Sequence, residues 1–250
     1  MRWLIGVGLF LIVLLGGPAY LYVTDAAGVN TGWHEANRES AGMAPEPDAH
    51  PGAVVQVYAA RAFSWRGVFA VHSWVAAKEA GAERYRVYEV TSWRGGRVAS
   101  GFGIPDRNWF GSASKLLLDL RGDEASALIP RIADAVERYP HNGDYAVWPG
   151  PNSNTFVAWL IREVSGLDAA LPPTAVGKDY LSGALLAPMP SGTGYQVSVN
   201  GVASVGIARV EGLEVNILGM VIGVDPFGLA VKLPGVGHVG LRESPLARQQ

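Results

Sequence analysis

Trp3 to Val23 carries no charged residue, and nothing else in the chain limits its fate so strongly. Twenty-one residues at a helical rise of ~1.5 Å span roughly 30 Å, the thickness of a bilayer's hydrocarbon core. The segment therefore reads as a membrane helix. Arg2 and the amino terminus precede it. Asp25, Glu35, Glu39, Glu46 and Asp48 follow it, with Arg38 as the nearby cation. The basic end stays inside, so the N-terminus is expected on the cytoplasmic side and the rest of the chain on the far side. A cleaved signal peptide is the rival reading, with Gly17-Pro18-Ala19 as the cleavage site. Apolar character continuing through Tyr20, Leu21, Tyr22 and Val23 favours a retained anchor.

Beyond the anchor, roughly 200 residues suffice for one domain with a substantial core, or for a domain and a small annex. The net charge is −2 and no basic block occurs, so no nucleic-acid partner is expected. The chain has no cysteine. That removes disulfides, thiolate metal sites and a cysteine nucleophile, and it suits an oxidising compartment. The five histidines lack the i, i+4 spacing of a metal site. Neither a phosphate-binding loop nor a dinucleotide fingerprint follows a strand. No metal and no cofactor are expected.

The pattern divides the chain into an anchor or signal segment (1–24), a flexible tether (25–52), an α+β domain (53–182) and a Gly-rich β annex with a tail (183–250). The tether is rich in Ala, Gly, Pro, Glu and Asn. In the domain, 54–59, 68–77 and 85–93 read as strands, the last two joined as a hairpin around Gly81. Residues 94–114 read as a long surface loop anchored by Trp109 and Phe110. Residues 115–120 read as a short strand. Asp123 suits the N-cap of a helix reaching Tyr139, with a kink or break at Pro130. Phe156, Val157, Leu160, Ile161 and Val164 recur at helical spacing after Asn152-Ser153, and Gly166 closes that helix. The annex reads as strands at 195–199, 202–210, 213–224 and 229–233, forming either a small β unit or a flat surface lying on the membrane.

His72, Glu89 and Ser153 are the candidate chemistry. A hairpin turning at Gly81 sets position 72 opposite 90, within a residue or two, and brings His72 beside Glu89. A carboxylate fixes the tautomer of an imidazole and raises its basicity. Ser153 opens a helix, where free N–H groups and the dipole favour a developing anion. Nucleophile, base and orienting acid are the parts of a covalent hydrolase. Each has a plain alternative: an N-cap, a satisfied core histidine, an exposed ion pair with Arg86 or Arg97. Asn152, Asn154, Trp74 and Trp148 would line the substrate side. Eight tryptophans make either a filled core or an aromatic groove for peptide, glycan or lipid.

The order strand-His, strand-acid, helix-cap nucleophile resembles circularly permuted papain-like proteins, the NlpC-type envelope hydrolases and the lecithin:retinol acyltransferase group. Asn152-Ser153-Asn154-Thr155-Phe156 is similar to their Asn-Cys-x-x-Phe motif with Ser for Cys, and Val71-His72-Ser73-Trp74-Val75 to their histidine strand. Most of the chain also resembles an uncharacterised bacterial family of membrane-anchored proteins, through 63–67, 152–159, 172–180 and 211–216. These resemblances imply a permuted papain-like antiparallel sheet packed on helices, in a single-pass protein of the bacterial inner membrane with a periplasmic domain. They imply a Ser-based hydrolase or acyltransferase acting on an envelope amide or ester. The alternative is an inactive papain-like binding or scaffolding module, because a serine hydroxyl needs His72 within reach as a true general base.

Overall fold

A computed structural model describes residues 2–30, 32–34 and 36–241; the tail expected at 242–250 lies outside them. Helix α1 (Arg2–Val23) covers the apolar segment and runs through Pro18. Leu14, Pro18 and Leu21 are buried and Gly17 is half-buried, while their helical neighbours are exposed. Steps of three and four residues put these four on one stripe. The stripe rests on the folded part of the chain. A Cβ added to Gly17 would sit 2.2 Å from the Pro234 carbonyl oxygen, and one added to Gly235 would sit 3.1 Å from the Pro18 ring. Glycine at both positions lets helix and turn touch. Leu21 packs with Ala27 and Val68.

The first sheet is antiparallel and five-stranded, built from β1 (Val54–Arg61), β2 (Val71–Lys78), β3 (Arg86–Val90), β4 (Val98–Phe102) and β5 (Lys115–Arg121). Its order is β4-β3-β2-β1-β5. The β2–β3 hairpin turns near Gly81, whose φ of +74 is open to glycine, and pairs Val75 with Tyr88. β4 corrects the sequence reading, which left 94–114 as a loop. It pairs along β3 from Arg86 to Val90, although Val98-Ala99-Ser100-Gly101-Phe102 has little intrinsic strand preference.

Helices α2 (Gly122–Glu137) and α3 (Ser153–Glu163) cover one face of this sheet. Val55, Val57 and Val75 meet Ile132, Phe156 and Leu160 there in one buried cluster. The expected break at Pro130 does not occur. Leu128, Ile129 and Ile132 around it are buried, and that packing outweighs one missing N–H bond. Arg121, not Asp123, is the N-cap; Asp123 and Glu124 lie in the first turn, where the dipole favours them.

The opposite face is covered by the residues expected to be a flexible tether. The described residues of 25–52 form no helix or strand, yet they are tied down as a strap. The buried Asp106 carboxylate accepts bonds from Ser40 Oγ (2.8 Å), Met43 N (2.6 Å) and Ala44 N (3.1 Å). Tyr85 donates its hydroxyl to the Pro45 carbonyl at 2.8 Å. Ala36 joins Tyr58, Trp74, Trp109 and Phe110 in the second buried cluster. Backbone groups that would otherwise need water are satisfied by the sheet and its loops.

The annex is a seven-stranded antiparallel meander, ordered β12 to β6 in sequence. Its strands are β6 (Leu186–Pro188), β7 (Gly194–Val199), β8 (Ala203–Ala208), β9 (Gly212–Ile217), β10 (Met220–Asp225), β11 (Ala230–Leu233) and β12 (Gly237–Gly240). The single run expected at 213–224 is the β9–β10 hairpin, turning at Leu218 and Gly219 with φ of 55 and 84. Burial alternates along β7, β8 and β9, but in the unusual sense. Gln196, Ser198, Glu214, Asn216 and Lys232 are buried, while Tyr195, Val197, Val205 and Ile207 are exposed. An antiparallel sheet with one solvated face normally points its apolar set inward.

Candidate functional site

His72 lies on β2 and Glu89 on β3, and the hairpin brings His72 Nε2 to 3.0 Å from Glu89 Oε2. Arg107 Nη2 donates to the same oxygen at 2.7 Å. The imidazole stacks on Trp109 at 3.7 Å between ring centroids, and Trp74 lies beside both, 5.7 Å from the His72 ring and 5.9 Å from Trp109. Burial pulls the His72 pKa below its ordinary value, and the Glu89 contact only partly opposes this. A neutral ring therefore donates from Nε2 to an ionised carboxylate. Burial alone would raise the Glu89 carboxyl, but His72, Arg107 and Arg94 outweigh it and hold it low.

Ser153 is the first residue of α3, and its neighbours explain the local fold. Asn152 Oδ1 accepts from Asn154 N (3.0 Å) and Thr155 N (3.2 Å), and Thr155 Oγ1 accepts from Asn152 N at 3.1 Å. This reciprocal capping box bypasses the Ser153 hydroxyl. Asn152 Nδ2 also donates to the carbonyls of Val147 and Val176. Asn154 donates to the carbonyls of Val71 (2.9 Å) and Val176 (2.8 Å) and accepts from Ser73 Oγ at 2.8 Å.

The structure thus brings His72 and Glu89 together and leaves Ser153 apart from them. Strand side chains alternate between faces. Val75 joins the α3 cluster, and Ser73, of the same parity, reaches Asn154; Trp74 and its same-parity neighbour His72 face the strap. The β2 backbone stands between the imidazole and the helix start. Asn152 and Asn154 are consumed by capping and stapling. Trp74 is fully buried, with Nε1 bonded to the Pro105 carbonyl at 2.7 Å. Trp148 is half-exposed; its Nε1 donates to the Leu218 carbonyl at 2.9 Å and so clasps the β9–β10 turn.

Sequence reasoning missed two groups. Arg107 is the third member of the His72–Glu89 set. A second cluster lies under the annex: Lys178 Nζ reaches Asp179 Oδ1 (3.0 Å) and Glu214 Oε2 (2.7 Å), and Lys232 Nζ reaches Glu214 Oε1 (2.5 Å). Asn216 Nδ2 donates to Asp179 Oδ2 at 3.0 Å. All five side chains are buried. Burial opposes the charge on Glu214, but Lys178 and Lys232 outweigh it and hold the carboxyl low. Burial likewise opposes the Lys178 charge, and Asp179 with Glu214 more than restores it. The signal was present: Lys232 is the one polar residue of β11, and Glu214 and Asn216 alternate with apolar residues in β9.

A cleft of about 1000 Å³ opens where α1 ends. Ala26–Gly28, Ala59, Val71, Phe110, Leu116 and Val236 give it mostly small or apolar walls, with Arg61 and Lys115 as its cations, Asp25 as its acidic residue, and His238 in its lining. Arg61 Nη1 donates to the carbonyls of Gly67 (2.8 Å) and Gly235 (3.1 Å). Both ring nitrogens of His238 are buried and lack a partner among the described residues.

A family model described as a protein of unknown function (DUF3750) matches residues 52–180, more than half of the 250-residue chain. The chain belongs to this family. No curated protein and no solved structure matches it. The DUF3750 region takes in the first sheet, α2, α3 and the Lys178–Asp179 pair, and it ends before β6. Glu214 and Lys232, which complete the buried ion cluster, lie beyond it, as does α1 before it. The apolar α1 could anchor this DUF3750 protein in a membrane.

Proposed function

We propose that this protein is a single-pass, membrane-anchored binding module without catalytic turnover, its folded part held across the membrane from its N-terminus. The observation that carries it is the docked stripe of α1. Leu14, Gly17, Pro18 and Leu21 clamp the anchor to the domain, so the cleft beginning at Asp25 opens at the bilayer surface. Its apolar walls and basic groups suit an amphipathic ligand with an anionic head, such as a lipid or a lipid-linked envelope molecule. Absence of turnover is supported by the shielded, neutral His72 and by the face of β2 that parts it from Ser153. On this reading the Asn152–Phe156 motif and the antiparallel sheet keep a papain-like frame without its active centre.

The test uses the full chain in detergent. A fluorophosphonate probe should leave Ser153 unlabelled. A fluorescent acyl phosphate should bind, and Lys115→Glu should weaken it several-fold by reversing a charge at the cleft. Labelling abolished by Ser153→Ala would overturn the reading, and so would an acyl phosphate that fails to bind.

A further inference from the structure

The outward face of the annex sheet is apolar from edge to edge. One ladder of paired residues runs Tyr195–Ile207–Leu213–Val224–Val231–Val239. Ile207 is 68% exposed and Tyr195 64%. A parallel ladder through Val197, Val205, Val215 and Ile222 lies beside it. Among the described strand residues on this face, the Tyr195 hydroxyl is the one hydrogen-bonding group and no side chain is charged. Seven strands at ~4.8 Å spacing and two to three outward positions per strand give roughly 29 Å by 14 Å, about 400 Å². That matches the largest apolar patch of a typical monomer, which is often functional.

We infer that this face lies against the acyl chains of the bilayer that α1 crosses, an inference that rests on the anchored reading above. Depth supports it. From Leu14 to Val23 the helix rises about 14 Å, roughly half of a ~30 Å hydrocarbon core. The docked stripe therefore sits in one leaflet, and the Pro234–Val236 turn it touches sits at the same level. That turn joins β11 to β12, the edge of this sheet, so this edge of the sheet starts at the depth of the leaflet. Arg61 satisfies the Gly235 carbonyl of the turn, as a backbone group near lipid requires. Chemistry supports it as well. Protein partners place hydrogen-bond donors, aromatic residues and Arg in an interface. Apart from Tyr195 at one end, this face is aliphatic, offers none of these, and matches hydrocarbon.

The chain has no cysteine, so single-cysteine variants carry one fluorophore each. Leu9→Cys, Val205→Cys, Val224→Cys and Glu137→Cys would be labelled with an environment-sensitive dye and reconstituted as full chains in vesicles with brominated lipid. All four sites are exposed, so the folded chain accepts the label. The inference expects quenching at Leu9, Val205 and Val224 by comparable fractions, and none at Glu137. Quenching at Leu9 with none at 205 and 224 overturns the inference and leaves the anchor intact. If 205 then forms disulfides between chains, the occupant is a second copy. An unquenched Leu9 overturns the anchored reading itself.

Discussion

Replacing Asn154 with alanine deletes three hydrogen bonds at a side chain that is 2% exposed. The losses differ in cost. The Val176 carbonyl keeps a bond from Asn152 Nδ2, so little is lost there. The Ser73 hydroxyl is fully buried and becomes an orphan, at ~1–3 kcal/mol, and the remaining bonds add ~0.5–1.5 kcal/mol each. The sum is about 3 kcal/mol, which for a chain of this size lowers the melting temperature by roughly 6–12 °C. Ser153→Ala removes a hydroxyl that the capping box does not use and should cost under ~1 kcal/mol. Scanning calorimetry of the detergent-solubilised chain reads both. Ser73→Ala in the Asn154→Ala background should restore part of the loss, since it removes the orphan. An Asn154→Ala protein that melts like the parent, or a Ser153→Ala protein that melts lower, would refute the view of this helix start as a structural staple.

Three further outcomes follow from the same structure. His72 is held below the ordinary value of 6.5 by burial; below that pH the unfolded chain takes up a proton that the folded chain refuses. Stability should therefore decline as pH falls from about 6.5, and His72→Gln should flatten that decline in urea titrations at stepped pH. Glu214→Gln leaves Lys178 with Asp179 alone and takes away the carboxylate that Lys232 pairs with. Breaking a buried pair costs ~3–5 kcal/mol, so protease should cleave the annex far faster. Gly17→Leu puts a side chain where a Cβ alone lies 2.2 Å from the Pro234 oxygen. The melting temperature should fall, while resistance to alkaline carbonate extraction stays unchanged because the apolar length is kept.

Local chemistry made several elements legible. An uncharged run specified α1, Gly81 specified the turn that joins His72 to Glu89, and Asn152 with Thr155 specified a helix start. What the chain does not spell out is which face of a strand meets which layer. β2 is buried on both sides, so the hydrophobic pattern gives no sign that Ser73, not His72, turns toward α3. In the annex the alternation is plain in Tyr195–Val199, but local pattern assigns the apolar set to the interior; the Lys178–Asp179 segment draws the polar set inward instead. The strap at 25–52 was invisible for a different reason. Its order comes from Asp106, more than fifty residues away, and not from its own periodicity.

Everything here depends on α1 lying in lipid while one of its faces grips the domain. Single cysteines at Leu9, Leu14 and Leu21, tested with a membrane-impermeant maleimide in vesicles and again after mild detergent, separate those two properties. The account predicts all three shielded in vesicles, Leu9 released by detergent, and Leu14 and Leu21 still protected by the domain they pack on. Rapid labelling of Leu9 in intact vesicles, or release of all three together in detergent, would contradict it.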